Sequence, residues 1–382
     1  MAEALRAASA ARELPTRGRF TVKQVGRAEL ATALGERGDL ERGDPERGDP
    51  RPLRPMAEDD DDARECLLGI RPVDRCVPRL ARAPAPSESP LASLAAGVYV
   101  PREKALYVLA EGGRTADGTV LLHELVHALQ DDHFGLARML TEDARGADAL
   151  SARHGFAEGD ATFAVLRDAN LLEPVDATFL EAFLEGFLTA NRRSAGEAIP
   201  SAVADAAAFP YVHGTRFVWS LYVRGGWRAV NAAWRRPPRT TEQLLHVEKY
   251  LRGELPRPLP QAPRVPAGFT RRARRTFGEL DLRTWLAVFL PESDAAALAS
   301  GWGNGEAELF ARGDDRALRV RVRWDAPLRT RAHDVAARLA HAFGGPRFAR
   351  DGVGALEVSA IGDELRVVAG PAAALSEGAL TP

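Results

Sequence analysis

The chain has 382 residues, enough for two or three domains and a substantial buried core. Its formal net charge is −2, which gives no general electrostatic pull toward nucleic acid or an anionic membrane. No apolar run reaches the ~18 residues that span a bilayer, so no transmembrane segment is expected.

Met1 to Arg12 is Ala-rich and amphipathic. It lacks the apolar h-region of a secretory signal, so the chain as given reads as cytoplasmic. Cys66 and Cys76 are the only cysteines. They are expected to pair in an exported protein and to remain thiols in a reducing cytosol.

Residues 1–95 read as an accessory N-terminal region. A helix is expected over Glu3 to Leu14, a strand over Phe20 to Val25 and a helix over Arg27 to Leu34. Then Glu36-Arg-Gly-Asp39 repeats at Glu41 and Glu46, with Pro45 and Pro50 between. This charged, Gly/Pro-rich composition predicts a disordered loop over 36–62. The three RGD triplets read as tandem duplication within that loop, in preference to an integrin-binding tip. The acidic run Asp59 to Asp62 lacks the spaced ligands of an EF-hand and reads as solvated loop. Pro84 to Pro90 reads as a linker.

A different character begins at Ala96, and 96–255 reads as one domain. Gly97 to Val100 and Ala105 to Leu109 alternate and are β-rich, predicting a hairpin. Immediately after it comes Leu121-Leu-His-Glu-Leu-Val-His-Ala-Leu-Gln-Asp-Asp-His-Phe134. Val120, Leu121, Leu125 and Leu129 recur at helical spacing, and neither Gly nor Pro interrupts 120–134. Within it stands His123-Glu124-x-x-His127. Residues four apart share a helix face, so both imidazoles can bind one metal ion, the HExxH arrangement of zinc peptidases. Glu124, beside the first ligand, is placed to take a proton from a water whose pKa zinc lowers toward neutrality.

Further helices are expected from Ala147 to Asn170, Pro174 to Ala190 and Tyr211 to Val223. Gly225-Gly226-Trp227 breaks the last of these, and a further helix covers 241–250. A catalytic zinc needs a third protein ligand. One reading takes Glu158, in Glu158-Gly-Asp-Ala161 on the next long helix. The other takes His133, at metzincin spacing. That spacing relies on a glycine turn where Gln130 stands here. In a continuing helix His133 lies about 240° round the axis from His127. No methionine follows at a place suited to a Met-turn. The chemistry of the residues favours Glu158.

At these motifs the sequence resembles a family. HExxH with a glutamate on a later helix resembles the gluzincins, the thermolysin-like zinc peptidases. His123 to Phe134, Glu158 to Ala161, Phe209-Pro-Tyr211, Gly225-Gly-Trp227 and Thr241 to Tyr250 are together similar to a poorly characterised bacterial group of them. The chain departs from that group's pattern at Asp132 and Val247. The resemblance covers about residues 95–255. It implies a Zn2+ site of His123, His127 and Glu158, with Glu124 as general base. It also implies a peptide or protein substrate and an exported or periplasmic setting. A metallopeptidase of this kind also needs a donor for the developing oxyanion. Tyr211, His213, His246 and Tyr250 are the options, with Tyr211 the first choice and His246 the second; the plainer reading of Tyr211 is a helix-start aromatic packed in the core. Asp160 is a candidate partner for a ligating imidazole, and His154 a candidate neighbour of the site. The alternative is a zinc-binding protein that serves interaction without hydrolysis.

Pro256 to Pro266 reads as a linker. Residues 270–382 read as a small α+β unit, with strands near 307–311, 317–324, 356–360 and 364–368 and helices near 279–289 and 331–343. The expected fold is thus α+β and mainly helical, with a zincin-like domain whose small sheet lies beside the HExxH helix.

Overall fold

The structure is a computed structural model that describes residues 1–18, 20–33, 58–70, 97–110, 118–141, 146–169, 177–196, 199–328, 330–350 and 354–371. The RGD repeats, Cys76 and the Pro84 to Pro90 stretch lie outside them. The chain is α+β and mainly helical. It has two principal cores, one helical and one beneath a six-stranded sheet.

The helical part begins with α1 (Ala2–Arg12) and β1 (Thr21–Val25). A second strand pair follows, β2 (Gly97–Val100) and β3 (Ala105–Leu109). β1 pairs parallel with β3, and β2 pairs antiparallel with it, giving the order β1-β3-β2. Residues 1–25 therefore do not form a separate accessory region. Ala8 and Leu14 are buried in the same core as the HExxH helix, because the apolar face of α1 packs on that helix and on its long successor. The segment α2 (Glu58–Leu67) is helical where a loop was expected. Leu67, Leu68 and Ile70, at and beyond its end, join the core of the C-terminal sheet, and Trp285 Nε1 donates to Leu68 O at 3.1 Å.

The HExxH helix is α3 (Gly118–Phe134). Gly135, at φ 74°, stops it in a left-handed conformation that a side chain resists. The short α4 (Leu136–Met139) follows, then the long α5 (Ala147–Asp168), α6 (Ala177–Ala195) and α7 (Ser201–Arg235). α7 starts ten residues before Tyr211, so Tyr211 is not a helix-start residue. The Ala-rich run 202–208 is strongly helix-forming and carries the helix through Pro210, although that residue removes one main-chain donor and its ring crowds the carbonyl of Ala206. The helix breaks at Gly225 and Gly226, the latter at φ 60°. Two short helices, α8 (Thr241–Leu245) and α9 (Val247–Arg252), complete this part.

The C-terminal part is an antiparallel sheet in the order β4-β5-β6-β9-β8-β7. Its strands are β4 (Thr270–Thr276), β5 (Trp302–Arg312), β6 (Asp315–Trp324), β7 (Arg347–Arg350), β8 (Gly354–Ile361) and β9 (Glu364–Gly370). β4, too Arg-rich to be read as a strand from sequence, is an edge strand, where charge is tolerated. Leu318, Val320 and Val322 of β6 join the core that also holds residues of α10 (Glu279–Ala287), α11 (Glu292–Ala299) and α12 (Arg331–Phe343). The alternate residues Arg319, Arg321 and Arg323 lie on the opposite face. They pair with Glu308, Glu364 and Asp363 and also donate to the carbonyls of Arg264, Pro260 and Pro258. The Pro-rich stretch 256–266 is thus a strap held across the sheet.

Candidate metal site

α3 and α5 cross so that three donor atoms converge. His123 Nε2 lies 3.0 Å from Glu158 Oε2, His127 Nε2 lies 3.4 Å from that same oxygen, and the two imidazole nitrogens are 3.1 Å apart. His127 and Glu158 are each 1% exposed in their side chains. For ligands at ~2.1 Å from a tetrahedral zinc, donor atoms sit about 3.4 Å apart. The three donors fit such an ion with little movement.

The protonation pattern also fits a cation. Gln130, one turn after His127, places its Oε1 2.8 Å from His127 Nδ1. An amide oxygen is an acceptor only, so Nδ1 carries a proton, and in the neutral imidazole Nε2 then presents its lone pair toward the Glu158 carboxylate. Two electron-rich atoms facing each other in a buried place repel unless something positive lies between them.

A second close crossing, of α5 with α7, is built from glycine. Gly155 and Gly159 of α5 face Gly214 of α7 with main chains in contact. A Cβ on Gly159 would stand 2.0 Å from the carbonyl carbon of Gly214. Glu158 thus stands on a helix held close against α7. His154, one turn earlier, lies 3.3 Å from Glu158 Oε1, so that carboxylate is held from both sides.

Glu124 is 6% exposed. Its Oε2 accepts the main-chain N–H of Tyr99, at 2.8 Å, from β2. β2 is an edge strand of its sheet, and this N–H points away from β3 toward the helix. Tyr99 also donates its hydroxyl to Asp131 at 3.1 Å, tying the strand to α3 a second time. Burial, first, and the Asp131 charge raise the Tyr99 phenol well above its ordinary range.

His133 lies elsewhere. α3 continues unbroken through Gln130, and His133 Nε2 donates to the Pro15 carbonyl at 2.6 Å on an exposed face. Asp160 is fully buried but does not touch an imidazole. Gln130 intervenes, its Nε2 donating to Asp160 Oδ2 at 3.2 Å and to the Ala157 carbonyl at 3.0 Å. The reason is reach: the longer Gln130 side chain, on the same helix as His127, fills the space between. Trp234 Nε1 also donates to Asp160, at 2.9 Å.

Of the two oxyanion-donor candidates, Tyr211 is beside the cluster, its ring centre 6.3 Å from that of His123. His246 is drawn to α10, with Nε2 2.8 Å from Glu279 Oε1. Burial raises the Glu279 carboxyl above the usual range, against the pull of His246. Burial likewise pushes His213 well below the ordinary imidazole value, so it stays neutral.

A second group of metal-type donors, Glu242, Glu254 and Asp325, already encloses a cation. Lys249 Nζ is 2.6 Å from Glu242 and 2.7 Å from Glu254, and also contacts Asp325. Burial pushes the Glu242 carboxyl up to about 8 despite the neighbouring ammonium.

Gln130, Tyr99 and Arg12 were not foreseen as parts of this site. Gln130 carried a readable signal, since a residue three after a ligating histidine shares its helix face. Tyr99 and Arg12 carried none, because their contacts are made across the fold. Compared with protein-family models, curated proteins and solved structures, the chain gives no match.

Proposed function

We propose that the chain is a zinc-dependent hydrolase of peptide bonds, of gluzincin type, with a zincin-like arrangement in its helical part. The observation that carries this reading is the meeting of His123, His127 and Glu158 donor atoms at 3.0–3.4 Å. His123, His127 and Glu158 hold the metal. Zinc supplies Lewis acidity, lowering the pKa of water toward neutrality and polarising the substrate carbonyl. Glu124 accepts the proton of the attacking water and passes it to the leaving amine. The Tyr99 N–H fixes the orientation of its carboxylate. Tyr211, close to His123, is the first candidate to donate to the oxyanion, and His246, steadied by Glu279, the second. No helix among the described residues is long and apolar enough to cross a membrane.

The test is zinc stoichiometry after dialysis against a weak chelator, together with cleavage of an unbiased peptide library. Glu158→Ala is expected to lose the metal and His133→Ala to keep it. Retention in the first with loss in the second overturns the ligand set. Full zinc occupancy with no cleavage of any library member turns the reading to a non-catalytic zinc protein.

A further inference from the structure

Arg12, the last residue of α1, is completely buried. A guanidinium is costly to bury unless its charge is met. Its Nε lies 2.6 Å from Asp160 Oδ1, a close ion pair although the N–H is not aligned for a hydrogen bond. Its Nη2 donates to Asn231 Oδ1 at 2.7 Å, and its guanidinium carbon lies 4.0 Å from the centre of the Trp227 ring. These contacts join α1 to α5 and α7 at one point.

That point lies directly behind the metal site. Asp160 offers its other oxygen to Gln130 Nε2, and the Ala157 carbonyl takes a second hydrogen from the same nitrogen. With both amide hydrogens engaged, Gln130 has only its oxygen to turn toward His127 Nδ1. The opposite amide orientation would present N–H to Nδ1. It would require the His127 tautomer protonated at Nε2, which cannot bind a cation.

We propose that Arg12 is a positioning residue of the metal site. Its charge holds Asp160 in place as an acceptor, Asp160 with the Ala157 carbonyl orients Gln130, and Gln130 sets the tautomer of His127. The N-terminal helix is therefore part of the metal centre, and metal binding depends on its being docked. This rests on the zinc reading above.

The test uses the full chain with zinc alone as probe, titrated in competition with a chromophoric chelator. Arg12→Met is expected to weaken zinc binding about tenfold or more, the range for groups behind a ligating histidine. Gln130→Leu should weaken it comparably. The Arg12→Met, Gln130→Leu double variant should be no weaker than Gln130→Leu alone, because the influence of Arg12 runs through that amide. Arg12→Lys keeps the charge and should recover most of the affinity. Circular dichroism and melting without metal establish that each variant is folded. If Arg12→Met does not fold, Arg12→Lys carries the same comparison, with a smaller loss that vanishes in the Gln130→Leu background. Unchanged affinity in Arg12→Met, or losses that add in the double variant, overturns the role of Arg12 while leaving the zinc site standing. A parent chain that binds no zinc overturns both.

Discussion

Gly159 stands next to a proposed ligand and has no room for a side chain. A Cβ there would meet the Gly214 carbonyl carbon at 2.0 Å, its oxygen at 2.3 Å and the Thr215 nitrogen at 2.5 Å. All three are main-chain atoms inside α7, so no rotamer change relieves the contact. Reaching an ordinary separation requires α5 and α7 to part by about 1.4 Å, in a region packed to crystal-like density. Overpacking of this kind costs roughly 1–3 kcal/mol, occasionally more. Alanine in place of glycine in a helix returns about 1 kcal/mol at an unhindered position. Because the obstruction is backbone on both sides, Gly159→Ala should lose about 2 kcal/mol in urea unfolding followed in the presence of chelator. Zinc affinity should fall as well, since a shift of this size moves the Glu158 carboxylate out of the 3.0–3.4 Å triangle it forms with the imidazoles. Gly186, in α6, supplies the control, because a Cβ there meets nothing within 4 Å. Gly186→Ala should gain about 0.5–1 kcal/mol. If Gly159→Ala gains as Gly186→Ala does and binds zinc as the parent does, the close crossing is not what positions Glu158.

Glu124→Gln should keep zinc at full stoichiometry and lose hydrolysis, because it removes the base and leaves every ligand; an unchanged rate refutes the assignment. Tyr211→Phe should lower kcat while zinc is retained, and a rate fall in His246→Ala alone would move the oxyanion role to that histidine. Burial pushes Asp148 from 3.8 up to about 7, against the hydrogen bonds it accepts from Thr241. The folded state thus binds this proton more tightly than the unfolded one. The stability it contributes is complete below pH 3.8 and is lost as pH rises through about 7. Unfolding free energies of Asp148→Asn relative to the parent should therefore improve from pH 4 to about pH 7 and level off beyond it; a flat difference across that window refutes the burial argument.

Local pattern alone determined much of this protein. The apolar spacing and the absence of Gly or Pro fixed α3 as a helix, and the i, i+4 geometry then put His123 and His127 on one face whatever the rest of the chain did. Gln130 in place of glycine indicated that the helix continues and carries His133 away. The strands of the C-terminal unit were legible where apolar and polar residues alternate, as in β6, and illegible in Arg-rich β4, whose strand character comes from its neighbour. What the tertiary structure decided is what depends on residues distant in sequence. The convergence of Glu158 on the two histidines comes from the packing of α5 on α3, which no local period encodes. The same holds for Tyr99, which reaches Glu124 only because β2 is the edge beside α3. It holds most for α1, whose Ala-rich sequence reads as an appendage. Its burial, and that of Arg12, is paid for by Asp160 and Asn231, more than a hundred residues away in the chain.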